Sequence, residues 1–196
     1  AKQGIAKGRL KIIFQPAEEK LFGAVRMIEA GVVEDVDYLL GIHLRHEQEA
    51  KLHQATPALY HGASYILEGS IIGAPAHGAR PHLGVNAIDA AAAVVQAINA
   101  IHVNPVVPAT AMVVKLQAGG PALNAIPDKA VIAVDVRAQK NEVMDELIAK
   151  VMRAAEGGAA SVGAKADIKV SGGCPAAEYD ADMIALAQEA IVAVLG

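Results

Sequence analysis

Tryptophan is absent from this chain of 196 residues, and two Phe and four Tyr supply all of its aromatic rings. So few rings give no stacking platform for bases, and a formal net charge of -4 gives no basic stripe to follow a phosphate backbone. Nucleic acid is therefore excluded as a partner, and small molecules or proteins remain. The single cysteine, Cys174, excludes an internal disulfide framework and suits a reducing compartment, so a cytoplasmic location is expected. No basic neighbour stands beside it in sequence to activate the thiol. Hydrophobic residues make up 54% of the chain, yet no apolar run approaches the roughly 18 to 20 residues that cross a bilayer, so no membrane partner is expected. The start, Ala1-Lys2-Gln3-Gly4, lacks the basic-then-apolar order of a signal peptide. It also lacks a Met, and the sequence stops at Val194-Leu195-Gly196 just as a helical pattern finishes, which reads as an excised piece of a longer protein.

What is present is a periodicity that changes along the chain. Residues 9–15 alternate and then run apolar like a buried strand. Leu21, Val25 and Ile28 recur at helical spacing until Gly31, and residues 38–44 form a second short apolar run. Strand, helix, strand predicts a βαβ unit and a parallel sheet. Residues 47–61 are polar and aperiodic, as a linker is. Beyond them strands are predicted over 64–72, 110–117, 130–137 and 165–170, and helices over 85–101 and 142–160. The order β-α-β-β-α-β is the ferredoxin-like arrangement of four antiparallel strands with two helices on one face. Residues 171–180, with Gly172-Gly173 and Pro175, read as a second linker, and 183–195 as a final amphipathic helix. The expected fold class is α/β: residues 1–62 and 173–196 as parts of one domain, and 63–172 as a ferredoxin-like module inserted between them.

Several constellations could carry chemistry. Phe14-Gln15-Pro16-Ala17-Glu18-Glu19 joins the first strand to the first helix. With Pro16 at the first helical position, Glu18 and Glu19 fall in the first turn, where the helix dipole favours their charge. Neighbouring helical residues point about 100° apart, so the pair cannot easily chelate one ion, but one carboxylate could bind metal while the other holds a water. Two solvated first-turn acids would look the same. His43, in Gly41-Ile42-His43-Leu44, lies at the carboxyl end of the second strand, where open α/β sheets place ligands. It could converge with Glu19 on one ion, or be a satisfied structural histidine. His46, His53 and His61 have no helical ligand spacing and read as surface residues. Residues 73–82 pack His77, His82, Arg80 and two prolines into a rigid strand-to-helix loop, able to hold polar groups toward a ligand or simply to cap the next helix. Asn124 sits in a Gly-, Pro- and Asn-rich loop between strands, and Arg137 closes the strand that follows, where its guanidinium could clamp a carboxylate. No Gly-rich loop has the spacing and Lys of a nucleotide fingerprint, and no Ser has the setting of a nucleophile elbow.

Taken together, the Phe14 to Glu19 run, Gly41-Ile42-His43-Leu44, the His77 and His82 loop, and Asn124-Ala125-Ile126-Pro127-Asp128 resemble the M20 family of metallopeptidases and aminoacylases, in its amidohydrolase branch. The resemblance spans nearly the whole chain. It implies a zinc-peptidase-like α/β catalytic domain, present in part, with an inserted ferredoxin-like lid that also dimerises. It implies hydrolysis of an amide bond in N-acyl amino acids or amino-acid conjugates, with divalent metal (Zn, Mn, Co or Ni), two ions in the intact parent, as cofactor and a homodimer formed through the lid. Glu18 is then the general base and Glu19 and His43 are metal ligands. His77 reaches a neighbouring subunit's active site to steady the oxyanion, and Asn124, Arg137 and His82 hold the substrate. The family takes further ligands from a Gly-His-Asp-x-His-like motif and a late His, and neither occurs in these 196 residues, so the chain alone is expected to be inactive. A dipeptidase or exopeptidase of the same fold, and a non-enzymatic dimerisation module, are the competing readings.

Overall fold

The computed structural model describes residues 7–18 and 22–196. The chain divides into two compact units, residues 1–46 and 47–196.

Residues 47–196 hold the ferredoxin-like module. Strands β1 (Ala63–Ile72), β3 (Ala109–Ala118), β5 (Lys129–Ala138) and β6 (Lys165–Cys174) form one sheet in the order β3-β5-β1-β6. Both β1 and β3 run antiparallel to β5, and β6 runs antiparallel to β1. Helices α2 (Ala87–Asn99) and α3 (Asn141–Ala160) make the two crossovers. The strand alternation decides which face they cover. Ala130, Ile132, Val134, Val136 and Ala138 of β5, with Leu67 and Ile71 of β1, are buried, as are Ala90, Ala91, Val94 and Ile98 of α2 and Met144, Leu147, Val151 and Ala155 of α3. Each fully buried large side chain contributes about 1.5–3 kcal/mol. Small residues let α2 and α3 approach closely: a Cβ on Gly158 would lie 2.9 Å from the Cα of Val94. Asn86 caps α2 by accepting from the Ile88 N–H at 3.0 Å.

Two features were not legible in the pattern. Short strands β2 (Ala76–His77) and β4 (Ala125–Ile126) pair with each other outside the main sheet. The expected linker from 171 begins instead as strand: β6 runs on to Cys174, its register shifted between Ile66 and Leu67 of β1. Ser171 occupies that bulge, and its hydroxyl donates to the Ile66 carbonyl at 3.1 Å. Helix α4 (Ala181–Leu195) starts at an Asp180 cap and has no buried residue.

Residues 1–46 depart from the expected βαβ unit. Among the described residues neither 9–15 nor 38–44 is strand. Phe14, Ile42 and Leu44 are each close to 90% exposed. An apolar run becomes a strand only when a neighbour completes its ladder, and none does so among the described residues. Helix α1 (Gly23–Glu29) begins seven residues after Pro16, with no acid in its first turn. Ala17 takes a left-handed φ of 52°, which ends any helix from Pro16, and the Pro16 carbonyl packs on Gly23, where a Cβ would sit 1.6 Å from the oxygen. Asp35 ties this unit together, paired with Lys11 and, at 3.0 Å, with Arg9.

Candidate functional site

The sequence-predicted residues fall into three places. In residues 1–46, Glu18 is exposed ahead of α1 rather than within its first turn. Glu19 lies outside the described residues. His43 is exposed, with Nδ1 2.6 Å from the Leu44 carbonyl oxygen. A carbonyl only accepts, so Nδ1 carries the hydrogen and the Nε2 lone pair is left as the donor atom for a metal.

The second place is the corner built by β2 and β4. His77 pairs with Ala125, and the Gly78 N–H donates to the Asn124 carbonyl at 2.8 Å, so the His77 and Asn124 loops are fastened together. A turn bond from the Arg80 N–H to the His77 carbonyl, 2.8 Å, leads into the short 3-10 turn Pro81–Leu83 that carries His82. Here the backbone selects the other tautomer. The Ala79 N–H donates to His77 Nδ1 at 3.1 Å, so Nδ1 is an acceptor and a neutral ring must carry its hydrogen on Nε2. His77 is thus prepared as a hydrogen-bond donor, and His43 as an acceptor. His77, His82 and Asn124 are all exposed. A concavity of about 390 Å³ beside this corner is walled by Gly78, Pro81, Asn86, Asp89 and Ile126, and none of the predicted site residues lines it.

Arg137 occupies the third place, at the opposite end of the sheet. It stands opposite Ser64 at the start of β1, while the β2–β4 corner adjoins the Ile72 and Lys129 end. Eight residues of strand separate Lys129 from Arg137, about 26 Å at 3.3 Å per residue. Its Nε donates to both carboxylate oxygens of Asp135, at 3.0 and 3.3 Å. The i, i+2 spacing of Asp135 and Arg137 on one strand face is a cue to that pairing in the sequence itself. Arg137 is therefore held by a carboxylate of its own strand, and its terminal nitrogens are left for another acceptor.

Carboxylate and imidazole donors suit a divalent ion. Among the described residues, however, no three His, Cys, Asp or Glu come together to hold one. Nor is any described helix long and apolar enough to cross a membrane.

The family model of the M20 peptidase dimerisation domain matches residues 62–162, the stretch that contains β1 to α3. An N-acetyl-L-cysteine deacetylase of Bacillus subtilis is 30% identical over 96% of this chain and 46% of its own. The hippurate hydrolase of Campylobacter jejuni is 37% identical over 74% of this chain and 40% of its own. Among solved structures, the Bacillus subtilis YXEP protein, described as a dinuclear metal-binding peptidase of the M20 family, superposes with a TM-score of 0.68 at 26% identity, covering 92% of this chain and 46% of that one. The chain spans about half the length of the curated relatives it matches. With the ferredoxin-like sheet, its two covering helices and the matched domain in agreement, the chain belongs to the M20 family of hydrolases and carries that family's dimerisation domain.

Proposed function

We propose that this chain is part of a metal-dependent amidohydrolase that cleaves the amide bond of N-acyl amino acids or amino-acid conjugates. The observation that carries the reading is the pair of backbone-imposed tautomers: His43 offers an Nε2 lone pair and His77 an Nε2 hydrogen. The names of the relatives, a deacetylase of N-acetyl-L-cysteine and a hydrolase of hippurate, supply the substrate class. Glu19 and His43 would be two of the donors that hold metal in the whole protein. A divalent ion held there would supply Lewis-acid chemistry, making water more acidic and polarising the amide carbonyl. Glu18 takes a proton from the attacking water and delivers it to the departing nitrogen. His77 donates from Nε2 to the oxygen that gains charge, with Asn124 and His82 beside it, and Arg137 holds a substrate carboxylate.

The roughly 26 Å between Arg137 and the His77 corner favours assigning these groups to two different active sites of a dimer, since one small substrate cannot touch both. The dimer forms through β3. The β3 edge exposes Met112, Leu116 and, at a bulge, Val114, with the single charge of Lys115, whereas the opposite edge, β6, exposes Val170 among three charges, Lys165, Asp167 and Lys169. The matched dimerisation domain includes β3 and ends at residue 162, ahead of β6.

The test is made in the whole protein. Glu18→Gln is expected to lower turnover of N-acetyl amino acids by roughly 10²–10⁴-fold with metal content retained. Glu19→Gln is expected to deplete the metal. Equal effects of the two changes on metal content would overturn the assignment of base and ligand.

A further inference from the structure

Glycines at 62, 172 and 173, with Pro175, mark two apparent swivels where the sheet module joins its flanking chain. The packing gives two of these glycines a different purpose. A Cβ at Gly62 would lie 2.8 Å from the Ala138 carbonyl oxygen. One at Gly173 would meet the Ser64 carbonyl oxygen at 2.3 Å and the Tyr65 ring at 2.4 Å. Both are glycine because another backbone passes too close for a side chain. Gly172 has open space around it but is held in the ladder opposite Ile66.

Beyond them the outgoing and returning segments are tied to each other and to the module. Cys174 pairs with Ser64 in the ladder. Ala176, buried at 7% exposure, has both of its backbone groups taken by one side chain: Asn141, at the start of α3, accepts from its N–H at 2.7 Å and donates to its carbonyl at 3.3 Å. The same Asn141 amide also donates to the Glu178 carboxylate. The Ala177 N–H donates to the His61 carbonyl at 3.0 Å, and the Tyr179 hydroxyl to the Leu59 carbonyl at 2.6 Å. The Tyr60 and Tyr179 rings meet edge to face, 5.4 Å between centroids. Asp180, the next residue, already caps α4.

We infer that Asn141 is a latch that makes residues 59–62 and 174–179 a rigid neck of the sheet module, so that Gly62 and Gly172-Gly173 are not points of flexure. The side-chain amide copies a strand partner for a residue that the ladder can no longer reach, since Pro175 has no N–H to continue it. The inference rests on the geometry of residues 59–180 and is independent of the reaction proposed above.

Amide hydrogen exchange on the unaltered 196-residue chain tests it directly. The Ala176 and Ala177 amides should exchange at least about a hundredfold slower than in an unstructured peptide. In Asn141→Ala the Ala176 amide should lose roughly tenfold of that protection, and the lone thiol of Cys174 should label several-fold faster, while Val134 in the centre of the sheet stays unchanged. Unprotected Ala176 and Ala177 amides in the unaltered chain would overturn the latch. So would a folded Asn141→Ala chain with unchanged Ala176 exchange and thiol labelling. Should that variant fail to fold, the exchange of the unaltered chain decides alone.

Discussion

Two adjacent glycines in α3 should respond in opposite directions to the same substitution. Gly→Ala in a helix interior normally stabilises, by about 0.5–1 kcal/mol, because alanine leaves less backbone entropy to lose. At Gly157 a Cβ meets nothing within 4 Å, so that gain should appear undiminished. At Gly158 the Cβ would lie 2.9 Å from the Val94 Cα, 3.0 Å from the Val94 nitrogen and 3.1 Å from the Ala93 oxygen. All three are backbone atoms of α2, so relief requires a shift of the helix rather than a rotamer change. Overpacking of this kind costs about 1–3 kcal/mol. Less the propensity gain, Gly158→Ala should be net destabilising by up to about 2.5 kcal/mol. Urea titration followed by circular dichroism would read both as shifts in midpoint at constant slope, and thermal unfolding as roughly 2–4 °C per kcal/mol for a unit of this size. A Gly158→Ala chain shifted in the stabilising direction, as Gly157→Ala is, would refute the close α2–α3 crossing.

Leu67 is fully buried at the centre of β1, so Leu67→Ala should cost about 2–5 kcal/mol, whereas Leu123, 99% exposed, should tolerate alanine within about 0.5 kcal/mol; the same denaturation experiment checks both. Lysine at Met112 or Val114 should shift the chain toward monomer in light scattering, and a matching change at Val170 of β6 should not; an undiminished dimer in Val114→Lys would exclude β3 as the interface. The hydrogen bond from Lys11, with the charge of Lys11 and Arg9, holds the Asp35 carboxyl below its ordinary 3.8. A depressed folded pKa means that the tie is fully present above 3.8 and is lost as pH falls through the folded value. A carbon-13 titration of that carboxyl should therefore show a midpoint below 3.8, and one at or above it would contradict the pairing.

The ferredoxin-like module was readable because its signals are local and redundant. Alternation along β1, β3 and β5 and helical spacing in α2 and α3 all demanded the same buried face, and the strands formed within a residue or so of expectation up to β6. The first 46 residues gave the same kind of signal and a different outcome: the apolar residues Leu10, Ile12, Leu40 and Ile42 are present, but their ladder partners are not supplied in the described chain. Pro16 looked like a helix start until the left-handed turn at Ala17 and the contact on Gly23 displaced it.

The sequence by itself determined the kind of groups available to the site and the order in which the chain delivers them, because residue type and spacing are covalent facts. Tertiary structure decided what those groups can do. Only the folded backbone puts a carbonyl on His43 Nδ1 and an N–H on His77 Nδ1, giving two identical side chains opposite hydrogen-bonding roles. It alone places Arg137 at the far end of the sheet from Asn124, and turns the glycines at 62 and 173 from apparent swivels into points of close packing. Tautomer, distance and clearance depend on which atoms approach through space, and chain order does not encode those approaches one residue at a time.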